Sequence, residues 1–67
     1  MDLRAARRSR KLTQEELEAL SGIDQAVISN LERGTVTNPT WNTVYYLSKA
    51  LRYRPETIFP VADRRVA

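Results

Sequence analysis

Four residues, SGID at positions 21–24, separate two segments that each carry a full set of helix-boundary signals. In the preceding "LTQEEL", Thr13 is a good N-cap, and Glu16, three residues on, can reach back to complete a capping box. Leu12 and Leu17 have the spacing of a hydrophobic staple across that cap, and Glu15 and Glu16 suit the positive end of the helix dipole. The device repeats at once, with Asp24 as the cap and Ile23 and Ile28 as the staple. The chain has only two glycines, Gly22 and Gly34. Both fall where a helix needs a left-handed residue to stop. These signals predict one helix over Gln14–Ser21 and another from Gln25 to just before Gly34. So short a connection forces a sharp angle between them.

The flanking sequence extends the helical reading. A first helix is expected over residues 2–10, burying Leu3 and Ala6 with the stem of Arg7 alongside. After Gly34, "TVTNP" reads as a polar loop, and Pro39 or Thr40 starts a fourth helix. Its apolar stripe is Trp41, Val44, Leu47, Ser48 and Leu51, with Trp41 expected in the core. A short fifth helix runs from Pro55 to Phe59, proline being well suited to a first helical position. Ile58 and Phe59 are expected to pack under Trp41 and Leu51. The second and third helices then have the geometry of a helix-turn-helix. The fold class is all-α, a compact five-helix domain over residues 1–60 with a short tail at 61–67 that has little to bury.

With 67 residues, one modest core must stabilise one domain. The absence of cysteine and histidine rules out disulfides, thiol or imidazole chemistry and the usual zinc ligands. No cofactor or metal is called for. There is no glycine-rich phosphate loop and no matched acid pair, so an enzyme is not expected. No apolar run approaches a membrane span, and no signal-peptide core is visible at the N-terminus, so a soluble cytoplasmic protein with no membrane association is expected. Eleven Lys/Arg against eight Asp/Glu give a net charge of +3, with basic ends around an acidic middle. That pattern suits a polyanion partner and a solvated surface equally well.

The stretch "DQAVISNLERG", residues 24–34, is more telling. Ile28 and Leu31 give its helix one buried edge. Gln25, Ala26, Ser29, Asn30 and Arg33 point the other way: uncharged hydrogen-bonders, one methyl group and a terminal arginine. In order and with ordinary spacing, "LTQEEL", Gly22, "ISNLERG", "NPTW" and "LSKAL" resemble the Cro/repressor-type helix-turn-helix family, the lambda-repressor-like fold of the lambdoid phage repressors. The resemblance runs over residues 3–59, most of the chain.

The resemblance implies a third helix that enters the DNA major groove and a second that lies across the phosphates. Gln25 matches a glutamine that reads adenine, which a carboxamide can do by accepting from N6 and donating to N7. Ala26, Ser29 and Asn30 complete the base-facing set. Gln14 matches a glutamine that donates to a phosphate while bracing its counterpart Gln25. Arg33, Thr35, Thr37 and Asn38 match the segment that grips the backbone after the recognition helix. The plain alternatives are that the glutamines are exposed helix formers and Ala26 is a helix former alone. Glu32 matches a carboxylate that pairs, partly buried, with an arginine of the first helix, here Arg7. Lys11 and Arg52 stand where the family often uses glycine to end helices one and four, so left-handed backbone is expected there. Glu18 replaces the usual alanine between helices two and three, and its stem must turn outward.

The implied function is a sequence-specific, double-stranded-DNA-binding transcriptional repressor acting on a palindromic operator as a homodimer. The expected dimer contacts are Tyr53, Arg54, Pro55, Ile58 and Val61. Two rival readings are an antitoxin that also binds a toxin protein and a protein-interaction module that keeps the fold without DNA binding.

Overall fold

The capping signals produce five helices in the computed structural model, which describes residues 1–36 and 38–59. They are α1 Leu3–Ser9, α2 Gln14–Ser21, α3 Gln25–Arg33, α4 Trp41–Leu51 and α5 Pro55–Ile58. The expectations placed on Thr37, Val61 and the tail lie outside the described residues.

Each boundary has a local cause. The Asp2 carboxylate accepts from the Ala5 N–H at 2.8 Å and starts α1. Both halves of the α2 capping box form: Thr13 Oγ1 accepts from the Glu16 N–H at 3.0 Å, and Glu16 Oε1 accepts from the Thr13 N–H at 2.8 Å. Asp24 caps α3 by accepting from the Ala26 N–H at 2.7 Å, and Thr40 caps α4 by accepting from the Thr43 N–H. Gly22 and Gly34 end α2 and α3 with φ of 78° and 81°. There a side chain would strain the backbone although it would meet no neighbour within 4 Å. Lys11 and Arg52 adopt φ of 59° and 62° despite their side chains, the left-handed conformation expected at those two positions.

Leu3, Ala6, Leu17, Ile28, Leu47, Leu51 and Ile58 form the core, ringed by Leu12, Ile23, Leu31, Ala50, Tyr53 and Phe59. Helix α2 packs against both α3 and α4, which places the fully buried Leu17 near the middle. α1 rests on α3, and α5 closes against α4. Each full burial of a leucine or isoleucine is worth about 1.5–3 kcal/mol, so a handful of side chains fixes the angle between α2 and α3. Glu18 is half-buried.

Trp41 departs from the expected core. It is 67% exposed, because it is the first residue of α4, a turn before the residues that the other helices cover. Its indole instead borders an open apolar groove with Pro39, Val44, Pro55, Glu56 and Phe59. Phe59 therefore flanks the tryptophan across a groove, while Ile58 joins Leu51 in the core. No helix among the described residues is long and apolar enough to cross a membrane.

Candidate nucleic-acid interface

At about 100° per residue, Gln25, Ala26, Ser29 and Arg33 share one face of α3, with Asn30 and Glu32 at its two edges. The fully buried Ile28 lies beyond the Glu32 edge, and the half-buried Leu31 lies opposite the face. Ala26 and Arg33 are exposed, whereas Gln25, Ser29 and Asn30 are half-buried. The sequence-identified readers are thus brought together on one face beside the core. The Gln25 carboxamide makes no hydrogen bond among the described residues, which leaves its donor and acceptor free to work as a pair.

Asn30 and Arg33 are already occupied with each other. Arg33 Nη2 donates to Asn30 Oδ1 at 2.6 Å. A bidentate Asn30 contact to adenine needs that oxygen, so it requires Arg33 to let go, and a released Arg33 is free for a phosphate. Thr35 folds back on the same residue, its N–H and Oγ1 both donating to the Asn30 carbonyl at 3.1 Å. That bond fixes the start of the loop after α3. Asn38 is exposed further along it.

Behind this polar face lies an ionic clasp. Arg7 Nε donates to Glu32 Oε2 at 2.6 Å, Arg7 Nη2 to Glu32 Oε1 at 2.9 Å, and Arg7 Nη1 to the Leu12 carbonyl at 2.8 Å. The Glu32 side chain is 0% exposed and that of Arg7 12%. Burial works to raise the Glu32 carboxyl, but hydrogen bonds from Arg7 and Gln14, with the Arg7 charge, outweigh it and hold the group below the usual carboxylate range. The hydrogen bond to Glu32 raises the Arg7 guanidinium further, against the opposing effect of burial. The expected Arg7–Glu32 pair is present and buried.

Gln14 differs from expectation in one respect. Its Nε2 donates to Glu32 Oε1 at 3.1 Å, so it braces the clasp and not Gln25. The buried carboxylate is the stronger acceptor within reach. Sequence reasoning also missed Arg4, whose Nε approaches the same Glu32 oxygen at 3.5 Å. Its spacing of three from Arg7 on one helix was the available signal.

The expected dimer patch is only partly a surface. Ile58 is corrected: at 3% exposure it fills the core, out of reach of a second chain. Tyr53 is half-buried and engaged internally, its hydroxyl 2.6 Å from Ser9 Oγ and its ring 4.2 Å beneath the Arg10 guanidinium. Arg54 is exposed and Pro55 half-buried. A more prominent apolar surface lies on α4. There Trp41, Tyr45 and Tyr46 stand 67%, 42% and 46% exposed, the Tyr45 ring lying against each of the other two, with Lys49 over the Tyr45 ring. Among the described residues, no cluster of acidic or other ligating side chains could hold a metal ion.

A family model described as helix-turn-helix matches residues 3–58, spanning all five helices. The chain is similar to y4dJ of Sinorhizobium fredii (strain NBRC 101917 / NGR234), named an uncharacterized HTH-type transcriptional regulator. The two are 56% identical over 45 residues, covering 67% of this chain and 57% of that protein. It is also similar to y4dL of the same strain, which bears the same description. Here the identity is 45% over 49 residues, covering 73% of this chain and 24% of that protein. The chain therefore spans only part of the length of either relative. No solved structure matches it.

Proposed function

The chain belongs to the Cro/repressor-type helix-turn-helix family of transcriptional regulators, and from that premise we propose that it is a sequence-specific repressor. It binds double-stranded DNA in the cytoplasm and reads the major groove with α3. The observation that carries this reading is the single polar face of Gln25, Ala26, Ser29 and Arg33, set against the buried Ile28. Gln25 reads adenine, Ala26 offers a methyl to thymine, and Ser29 and Asn30 extend the base-facing set. Gln14, Arg33, Thr35, Thr37 and Asn38 hold the backbone and so set the register. A helix of nine residues reads about four or five base pairs, too few to single out one site in a genome. We therefore propose a homodimer on a palindromic operator, with half-sites about 34 Å apart. Tyr53, Arg54 and Pro55 lie at the contact, with Val61 of the tail. Selection of bound duplexes from a random pool tests the reading directly. A palindromic motif is expected, and Gln25→Ala should relax one position per half-site at a loss of about 1–3 kcal/mol. An unchanged motif in the variant would remove Gln25 as the base reader.

One observation favours a second reading. The exposed aromatic strip of Trp41, Tyr45 and Tyr46 has the residue types that dominate protein–protein contacts. An antitoxin-type regulator would use such a strip for its toxin while α3 binds DNA. A pure interaction module would bind a protein and show no salt-dependent affinity for duplexes.

A further inference from the structure

Three side chains from two helices meet on the one buried carboxylate of α3. Glu32 Oε2 is taken by Arg7 Nε at 2.6 Å, while Oε1 receives Arg7 Nη2 at 2.9 Å, Gln14 Nε2 at 3.1 Å and Arg4 Nε at 3.5 Å. One negative charge thus faces two guanidinium groups, and the cluster carries a net positive charge. Its location follows from the geometry. Arg7 makes the short, paired bonds and is nearly sealed, whereas the Arg4 side chain is 45% exposed and makes only the long contact. The surplus charge therefore sits on Arg4, whose two Nη groups have no partner among the described residues.

The cluster also has a defined direction. Glu32 follows Gln25 by seven residues, two turns along the same edge of α3, so Arg4 and Gln14 border the reading face. Their donors converge on one oxygen atom, which holds guanidinium and carboxamide side by side. Gln14 keeps a second N–H, and Arg4 keeps its outer N–H groups; both are free to donate outward. Glu32 itself does not repel an incoming anion, being buried and already paired with Arg7. The opposing acids in the first turn of α2 are Glu16, turned back onto the Thr13 N–H, and Glu15, which is exposed.

We infer that Arg4 and Gln14 form a two-donor clamp for a single backbone phosphate at the edge of the recognition helix, positioned by Glu32. Arg4 supplies the charge and Gln14 a directed hydrogen bond. This rests on the reading of α3 as the DNA-reading helix, and it adds a phosphate contact on α1.

The test measures affinity for a selected duplex over a range of salt concentrations, comparing the unaltered protein with Arg4→Ala, Arg4→Lys and Lys49→Ala. Loss of one phosphate contact should make the slope of log affinity against log salt shallower by about 0.9. Arg4→Ala should show that change with the selected base motif intact. Arg4→Lys should restore most of the slope, and Lys49→Ala, which removes the same charge from α4, should leave it unaltered. A scan of neutral methylphosphonate linkages should find one position that weakens the unaltered protein and leaves Arg4→Ala indifferent. An unchanged slope in Arg4→Ala, or an equal change in Lys49→Ala, would overturn the clamp. Absence of salt-dependent duplex binding in the unaltered protein would instead overturn the DNA reading beneath it.

Discussion

Removing the Glu32 side chain tests how far one ion pair determines the fold. In Glu32→Ala the Arg7 side chain, only 12% exposed, loses both bonds to the carboxylate and keeps the one to the Leu12 carbonyl. Breaking a buried pair from one side costs about 3–5 kcal/mol. The surviving Leu12 bond and the small opening to solvent place this case toward the lower end, at about 3 kcal/mol. Arg7→Ala leaves Glu32 buried with Gln14 and Arg4 still donating, so its loss should be smaller. The pair should therefore show a coupling of about 2 kcal/mol in a double-mutant cycle, well beyond the ~0–1 kcal/mol of an exposed pair. A domain of this size has a total stability of only about 3–10 kcal/mol, so Glu32→Ala should lose a large share of it and unfold at a clearly lower urea concentration. Urea unfolding should be followed by far-ultraviolet circular dichroism, because Trp41 is 67% exposed and its emission would change little on unfolding. The double variant Arg7→Met/Glu32→Leu should recover part of the loss, since it removes both members of the pair and leaves no buried guanidinium without its partner. A coupling indistinguishable from that of an exposed pair would refute the argument that burial gives this clasp its weight.

Two further perturbations follow from particular groups. The Glu32 carboxyl is held below its ordinary value in the folded chain, so its contribution is fully present above the unfolded value of about 4.3 and is lost as the pH falls through the folded value. Stability to urea should fall through that acidic window for the unaltered protein and change less for Glu32→Gln; identical profiles would show that Glu32 is not the linked group. Ser48 is 2% exposed and its Oγ has no hydrogen-bond partner among the described residues. Ser48→Ala removes an unsatisfied hydroxyl and adds a better helix former, so it should stabilise by about 1 kcal/mol and raise Tm by roughly 4–8 °C. A fall in Tm would reveal a hydrogen bond to that hydroxyl.

The features that could be read from the sequence are those settled within a few residues of chain. Thr13 with Glu16, Asp24, Gly22 and Gly34 place the helix ends, because a cap and its N–H lie two or three positions apart. The polar face of α3 follows from helical period once Ile28 is assigned to the core. Period alone does not say whether anything covers a stripe. Trp41 is in phase with Val44 and Ser48, yet it stands at the helix start where no neighbouring helix reaches it. Ile58 shows the converse: an apolar residue near the end of the chain could seal the core or meet a partner, and only its packing against α4 decides. The choice of Glu32 by Gln14 and the approach of Arg4 depend on the angles among three helices. Local rules do not contain those angles.

Glu32 is also where stability and recognition meet. Through one carboxylate it ties α1 by Arg7 and Arg4, and α2 by Gln14, to the helix that carries Gln25. A substitution there should loosen the domain and misplace the proposed phosphate donors together, so a loss of DNA affinity in Glu32→Ala would have two causes. Arg4 and Gln25 allow the two to be separated. Arg4 is 45% exposed and reaches Glu32 only at 3.5 Å, and Gln25 makes no internal hydrogen bond among the described residues, so neither adds much to holding the helices together. If affinity falls in Arg4→Ala and specificity in Gln25→Ala while urea midpoints stay put, the clasp acts as a frame and its outer groups do the binding. If the midpoints fall with the affinity, the frame itself extends to those groups.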